Sequence, residues 1–393
     1  MYPLSNVPRS EQRRILFDIL RSGSPFQSPA GEIFVKIAVG PDAHDSISIR
    51  SPQFRGWIVA SFFRECSSAP DRHLIADVLR TGESIAFFSG CPQLPLGLRV
   101  LVAAQKIILD LASPRRDCIE ITAAGWGPGD AFQVGFVHHG ATQSLPTPAA
   151  SEHALDKMRA LLPVASNSDW ARALIWLTAS LQPAMPAPIL VVEGPSGSGK
   201  STTARFLRSL IDPHSSPFTQ LPGSAAAVRR HGAESHILVY DQVGRIPDRI
   251  AAALCEAADE QHHPIILIRA AGSPVPLPET IARRSLTVTL QPPAGLRTLY
   301  DLKREFESIQ PAVLAALCNA VSCALARRDA FATRTYQRLA DVTAWALAAA
   351  PALELSEESV ASAVLTGGAD PPVGGRPPGR TPRPRPAHLT SRI

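Results

Sequence analysis

Eight residues, Gly194-Pro195-Ser196-Gly197-Ser198-Gly199-Lys200-Ser201, constrain the fold of this chain more than any other segment. They come after an apolar run, Ile189-Leu190-Val191-Val192, and lead into helical spacing from Lys200 to Leu210. A buried strand that ends in glycines and turns straight into a helix begins a strand–helix–strand unit. The glycines let successive backbone N–H groups turn inward around phosphate oxygens, and the helix start adds its positive end. At this spacing Lys200 reaches the terminal phosphates of a nucleoside triphosphate, and the Ser201 hydroxyl can ligate Mg²⁺. Thr202 stands beside them. The chain has only five lysines, so composition alone does not account for the motif.

Beyond the loop the chain keeps the same rhythm. A weak strand at 217–221, a helix at 225–231, the apolar run Ile237-Leu238-Val239-Tyr240, a helix at 248–259, a strand at 264–268, a short helix at 279–283 and a strand at 286–290 alternate. Apolar strands alternating with helices predict a parallel sheet covered on both faces. The chain therefore reads as six stretches. A flexible N-terminal segment (1–30) has one helix-like piece near 11–21, and a small α+β domain spans 31–140. A linker with two helices (141–183) precedes the phosphate-loop core (184–292). A C-terminal helical region (293–366), with helices at 296–308, 311–327, 336–349 and 357–365, leads to a disordered Pro/Arg-rich tail (367–393). In the α+β domain, strands are expected at 32–39, 99–103, 106–111, 118–122 and 132–137, and helices at 54–65 and 71–79.

Composition removes several classes. An apolar fraction of 45% supports real cores. No 18 apolar residues run uninterrupted and the first residues lack an apolar signal core, so a cytoplasmic protein without membrane partners is expected. The six cysteines form no CxxC pair, and the histidine doublets at 138–139 and 262–263 point to opposite faces of a strand, which argues against metal sites there. Much of the net charge of +5 lies in the tail, where five arginines from Arg376 to Arg392 face one acid, Asp370. The body is close to neutral, so the tail is the segment whose charge could touch DNA phosphates non-specifically, or simply stay solvated.

A second group is needed to hold the metal. Asp241 ends an apolar strand, as an aspartate that shares Mg²⁺ with Ser201 would. Gln242 comes next, where a hydrolytic site would place a glutamate to polarise water; a glutamine can orient water but is no base near neutral pH. Glu256, Asp259 and Glu260 on the next helix are unranked substitutes. Arg269, Arg283 and Arg284 lie at the ends of the next strands and could sense a γ-phosphate or serve a neighbouring subunit; Arg284 ranks first. The catalytic set is thus Lys200, Asp241 and Arg284.

From about Phe34 to Ala350 the chain resembles ATP-binding proteins carried by phages and integrated mobile elements, relatives of the AAA+ and superfamily 3 helicase ATPases. The resemblance is carried by Ile107–Leu111 through Gly125-Trp126, Leu145–Pro148, Pro188–Thr202, Leu210-Ile211-Asp212-Pro213, Leu254-Cys255, Pro264–Ile266, Ala282–Leu286, and Arg338–Asp341 with Trp345. It implies an α/β P-loop NTPase core, AAA+-like, with ATP and Mg²⁺ as cofactors. It also implies DNA and replication proteins of a mobile element as partners, and a homo-oligomer. Departures stand at Asp241-Gln242, where relatives have Asp-Asn; at Ala258–Gln261, where they have Thr-Gly-Gly; and at Ile268-Arg269, where a sensor asparagine is expected. Two readings remain: a helicase-like or accessory ATPase of mobile-element DNA replication, or a degenerate ATP-binding switch with little hydrolysis. A small-molecule kinase ranks below both, because no arginine-rich lid comes after the loop.

Overall fold

The computed structural model describes residues 7–41, 43–295, 297–332 and 334–366. The tail at 367–393, expected to be disordered, lies outside the described residues.

Part of the segment expected to be flexible is built into a core. Helix α1 (Arg9–Arg21) and strand β1 (Ser24–Gln27) place Leu16, Ile19 and Phe26 in the interior. Leu16 and Ile19 are three residues apart and share one helix face, which the surrounding arginines mask in the sequence. Strands β2 (Ile33–Ala38) and β3 (His44–Ser48) join β1 in an antiparallel sheet. Helices α2 (Pro52–Cys66) and α3 (Arg72–Phe88) pack beside it. Ser51 caps α2 ahead of Pro52, and the Asp71 carboxylate accepts two N–H groups at the start of α3.

The next strands are β4 (Leu96–Gly97), β5 (Val100–Ala103), β6 (Lys106–Asp110), β7 (Cys118–Thr122), β8 (Gly125–Pro128) and β9 (Gly135–Phe136). β5 to β8 form an antiparallel meander, and β9 pairs in parallel with β4. Where a strand is expected at 132–137, a 3₁₀ turn at Ala131–Gln133 comes first, held by the Asp130 carboxylate on Phe132 N, and only two residues pair. Ile107, Leu109, Ile119 and Ile121 face a core shared with the helices that come after, whereas Leu101, Ile108 and Cys118 face the other way. This period of two is the signature of a sheet buried on both faces.

Helices α4 (Ala154–Leu161) and α5 (Asn167–Ser180) precede the main sheet, and α5 is buried on every side from Asp169 to Ser180. β10 (Ile189–Glu193), α6 (Lys200–Ser209), β11 (Thr219–Gln220), α7 (Ala225–Glu234), β12 (Leu238–Val243), α8 (Asp248–Asp259), β13 (Ile265–Arg269), α9 (Glu279–Ala282) and β14 (Ser285–Thr289) alternate as expected. The five strands are all parallel, in the order β11-β12-β13-β10-β14. Leu190 and Val192 belong to the core under α5 and α6, and Ile189 and Val191 to the core under α7 and α8. Together with the antiparallel sheets this makes a mixed α/β architecture.

Two helices expected at 296–308 and 311–327 are one, α10 (Leu299–Arg327), with Pro311 inside it. A proline removes one helical hydrogen bond at a cost of about 3 kcal/mol. Burial on both sides of it, at Phe306, Val313, Leu314 and Leu317, offsets that cost. α10 is long and apolar enough to cross a membrane by length and composition, and half of its apolar window lies inside the protein. α11 (Asp329–Ala332), α12 (Ala340–Ala349) and α13 (Glu357–Leu365) close the described chain.

Candidate phosphate-binding site

β10 is the strand at which the connections reverse: β13 lies on one side of it and β14 on the other. In open parallel sheets the crevice at the carboxyl ends of the strands, beside such a reversal, is where ligands bind. The loop 194–199 sits at that crevice. Gly194, Gly197 and Gly199 have φ of 150°, 78° and 79°, a region open to glycine and closed to most side chains. A Cβ on Gly194 would stand 2.6 Å from Ser198 Oγ and 2.7 Å from the Leu290 carbonyl, so only hydrogen fits. Ser198 Oγ is fully buried without a protein partner, a polar atom left over inside the cradle.

α6 starts at Lys200 behind Gly199, whose position supplies no side-chain cap for the first-turn N–H groups. Lys200 Nζ donates to the Gly194 and Pro195 carbonyls, both at 2.8 Å, so the ammonium is folded back over its own loop. Ser201 Oγ donates to Asp241 Oδ2 at 3.0 Å. Two residues that the sequence assigns to one metal are therefore brought together from different elements. The cradle, the orphaned hydroxyl and this oxygen pair suit a triphosphate with Mg²⁺: both metal-side groups are hard oxygen donors.

Asp241 is aimed by an irregularity. The β12–β13 register shifts between Tyr240 and Val243, and Gln242 adopts φ 54° with its N–H donating to Asp241 Oδ1 at 2.7 Å. A bulge of this kind re-aims a side chain at a strand end. Gln242 is exposed at the rim.

The arginines divide differently from the sequence ranking. Arg284 immediately precedes β14, whose first residue pairs with the first residue of β10. It therefore sits at the opposite end of the sheet from the loop, about 15 Å away at the rise of a five-residue strand. There its Nε donates to Asp259 Oδ2 at 2.6 Å. Arg284 cannot contact a nucleotide on its own loop, and Asp259, at the same far end, is no substitute base. Arg283 is exposed there and pairs with Glu279. Arg269 is the arginine at the correct end, but it is buried and engaged. It donates to the Gly244 carbonyl at 2.7 Å and lies 3.5 Å from Glu193. Strand polarity decides the difference: Arg269 ends β13, whereas Arg284 precedes β14.

Further residues that the sequence does not single out shape the site. Glu193, the last residue of β10, is the half-exposed carboxylate held by Arg269. Pro163 lies 3.5 Å from where a Gly199 Cβ would be, carried there by a bridge between Val164 and Leu290.

Residues 155–263 match the model of a family described as the actinomycete integrative conjugative element replication protein. The matched stretch runs from α4 through the glycine loop and Asp241. This chain is similar to a mobile-element replication protein. No curated protein matches it. Among solved structures, one described as SCCmec type IV Cch, an active helicase, is similar at 12% identity and a TM-score of 0.43, over 86% of this chain and 71% of that one. Two apo structures of the NrS-1 C-terminal region have TM-scores of 0.43 at 10% and 9% identity. They cover 77% and 90% of this chain, and 68% and 75% of theirs.

Proposed function

We propose that this chain is a P-loop ATPase, AAA+-like in its core, that binds ATP with Mg²⁺ at Gly194–Thr202 and acts as a helicase-like or accessory ATPase in mobile-element DNA replication. The observation that carries the nucleotide reading is the 3.0 Å pairing of Ser201 Oγ with Asp241 Oδ2 beside a glycine cradle. The match to conjugative-element replication proteins supports the replication setting. Lys200 would leave its two loop carbonyls for phosphate oxygens, exchanging neutral acceptors for charged ones. The α6 N–H groups and the loop backbone would bind the remaining oxygens, and Ser201 and Asp241 would hold the metal. Magnesium, when bound, supplies Lewis-acid polarisation of the phosphate oxygens.

Gln242 at the rim can orient a water but cannot take its proton. Because Arg284 and Arg283 lie at the far edge of the sheet, any γ-phosphate they reach must belong to a neighbouring copy of the chain. Efficient turnover is therefore assigned to a homo-oligomer and not to the monomer. A degenerate ATP switch is the second reading, favoured by Gln242 and by the engagement of Arg269 with the Val243 and Gly244 carbonyls.

The test is ATP turnover by the purified full chain with and without single- and double-stranded DNA, with its mass in solution measured alongside. The ATPase reading expects DNA-stimulated turnover in an oligomer, lost by about a hundredfold in Lys200→Ala, the worth of a charge-assisted contact to phosphate. Saturable ATP binding with no turnover in any of these states leaves the switch. No ATP binding at all overturns both.

A further inference from the structure

Behind the phosphate-binding site runs a line of charges with alternating sign. Arg116 Nε meets Asp45 Oδ1 at 2.5 Å, and His138 Nδ1 meets the same oxygen at 2.9 Å. His138 Nε2 meets Asp110 Oδ2 at 2.9 Å, and that oxygen lies 3.8 Å from Arg99 Nη1. Arg99 Nε meets Asp212 Oδ1 at 3.4 Å, and Asp212 Oδ2 lies 3.6 Å from Arg208 Nη2. Arg99 is wholly buried, and Asp110, Asp212 and Arg208 nearly so. The line begins at Arg116 between β6 and β7, meets β3 at Asp45 and ends on α6, tying the three-stranded sheet and the antiparallel meander to the parallel-sheet core.

Its last carboxylate grips two elements at once. Asp212 Oδ2 accepts the Ile237 N–H at 3.0 Å, just ahead of β12. The same oxygen lies 3.6 Å from Arg208 Nη2 on the last turn of α6, and Arg208 Nε also donates to the Asp212 backbone carbonyl at 3.1 Å. The near end of α6 carries Ser201, and the far end of β12 carries Asp241. One side chain thus joins the back ends of the two levers whose front ends make the metal-side oxygen pair. Arg99 fixes that side chain in space: its fork also donates to the Asp110 carbonyl at 3.2 Å and the Gln143 carbonyl at 2.9 Å. Three anchors in one plane leave the guanidinium a single orientation. Stability alone does not require this arrangement, since well-packed apolar residues often replace buried ion pairs without loss. What directional charges add is geometry.

We propose that Arg99 is a positioning residue for the phosphate-binding site, acting through Asp212 to hold Ser201 at the distance from Asp241 that admits the metal. The proposal rests on the nucleotide-binding reading above. It separates two properties that the loop alone would keep together. The glycine cradle and Lys200 do not depend on Arg99, whereas the Ser201–Asp241 spacing does.

The test uses the full chain and a fluorescent N-methylanthraniloyl-ATP, titrated once with Mg²⁺ and once with EDTA. In Arg99→Met, Arg208 still neutralises Asp212, so no carboxylate is stranded. Affinity in EDTA is expected to stay within about twofold of wild type, while the gain in affinity on adding Mg²⁺ shrinks about tenfold, the worth of one charge-assisted hydrogen bond. Arg99→Lys, which keeps the charge but loses the fork, is expected to recover part of that gain. An unchanged magnesium gain in Arg99→Met overturns the proposal, as does an equal loss in both titrations, which would mark Arg99 as general scaffolding. If Arg99→Met does not fold, Arg99→Lys decides: a gain reduced about threefold supports the proposal, and an unaltered one ends it. If the wild type shows no saturable binding, or Lys200→Ala matches it, the nucleotide reading fails and this proposal with it. Failure of the Arg99 variants alone leaves that reading intact.

Discussion

The glycine loop and the buried charge line are both polar, and they are built in opposite ways. The loop is exposed at its tip, leaves Ser198 Oγ without a partner, and has an ammonium that is bonded only to its own carbonyls. The line from Arg116 to Arg208 runs inward from the half-buried Arg116–Asp45 pair to the wholly buried Arg99, with each charge set against its opposite. An incomplete polar site can accept a ligand; a complete one can only hold position. On the proposed reading, one region would receive the phosphate and the other would keep the receiver in shape.

Removing a charge from the closed region tests this most severely. Asp212→Ala takes the paired carboxylate from Arg208, leaves Arg99 with Asp110 alone, and leaves the Ile237 N–H unpaired. Urea unfolding is expected to show a loss of about 4 kcal/mol, the range for breaking one partner out of a buried pair. A loss below about 1 kcal/mol would mean that the line is not desolvated as described.

The open region responds differently. Gly197→Ala adds a methyl at the exposed loop tip, where nothing lies within 4 Å, so nucleotide affinity should fall by about tenfold while stability drops only by the strain of a positive φ, about 1 kcal/mol. An unchanged affinity, or a stability loss as large as that of Asp212→Ala, would erase the distinction between the two regions.

Acidity tests the buried histidines on either side of the closed region. Burial disfavours the charge on His138, but hydrogen bonds from its ring to Asp110 and Asp45 outweigh this and raise its pKa. A raised folded pKa contributes stability that is full below the ordinary histidine value and fades as pH rises through the folded one. His263 does the reverse: burial, with smaller help from His236, lowers its pKa from 6.5 to about 4. Its contribution is full above 6.5 and is lost as pH falls toward 4, up to about 3 kcal/mol. Stability should therefore peak near the ordinary histidine value of about 6.5, with His263→Gln flattening the acid limb and His138→Asn the alkaline limb in thermal melts. A profile unchanged by either substitution would contradict both environments.

The smallest effect is expected at the far edge of the sheet. Arg284 is more than one-third exposed, so losing its pairing with Asp259 in Arg284→Ala should cost under about 1 kcal/mol. ATP affinity should not change. If turnover falls while affinity holds, the arginine serves a neighbouring copy; if affinity falls, its placement away from the loop is wrong.

The parts of this fold that come from local chemistry can be read in the chain. β10, α6, α8 and β13 begin and end within a residue or two of where apolar runs, glycines and prolines put them. The Ser201–Asp241 pairing is legible too, since a carboxylate at the end of a parallel strand must face the same edge as the loop. Long-range order is not. Leu16 and Ile19 are masked by arginines, and only their packing partners make α1 part of a core. Pro311 reads as the start of a second helix because proline suits a first turn, and only burial on both sides carries α10 through it. Arg284 ranks above Arg269 in the sequence although the parallel-strand rule that places Asp241 also puts residue 269, at the end of its strand, by the loop and residue 284, ahead of its strand, at the other end. Arg99 gives no local sign at all. Its meaning lies in Asp212, more than a hundred residues away.

β10 pairs on both sides along its length, with β13 and with β14, and its residues Ile189 to Val192 are fully buried. Its amide protons should be among the last to exchange with deuterium, because releasing them requires opening the centre of the sheet. A few residues further on, at Ser196 and Gly197, the backbone is exposed and should exchange within the first time points. The boundary between the slowest and the fastest amides in this part of the chain would then fall across Gly194. A bound triphosphate would register as protection spreading outward from that glycine, with the strand beneath it already fixed.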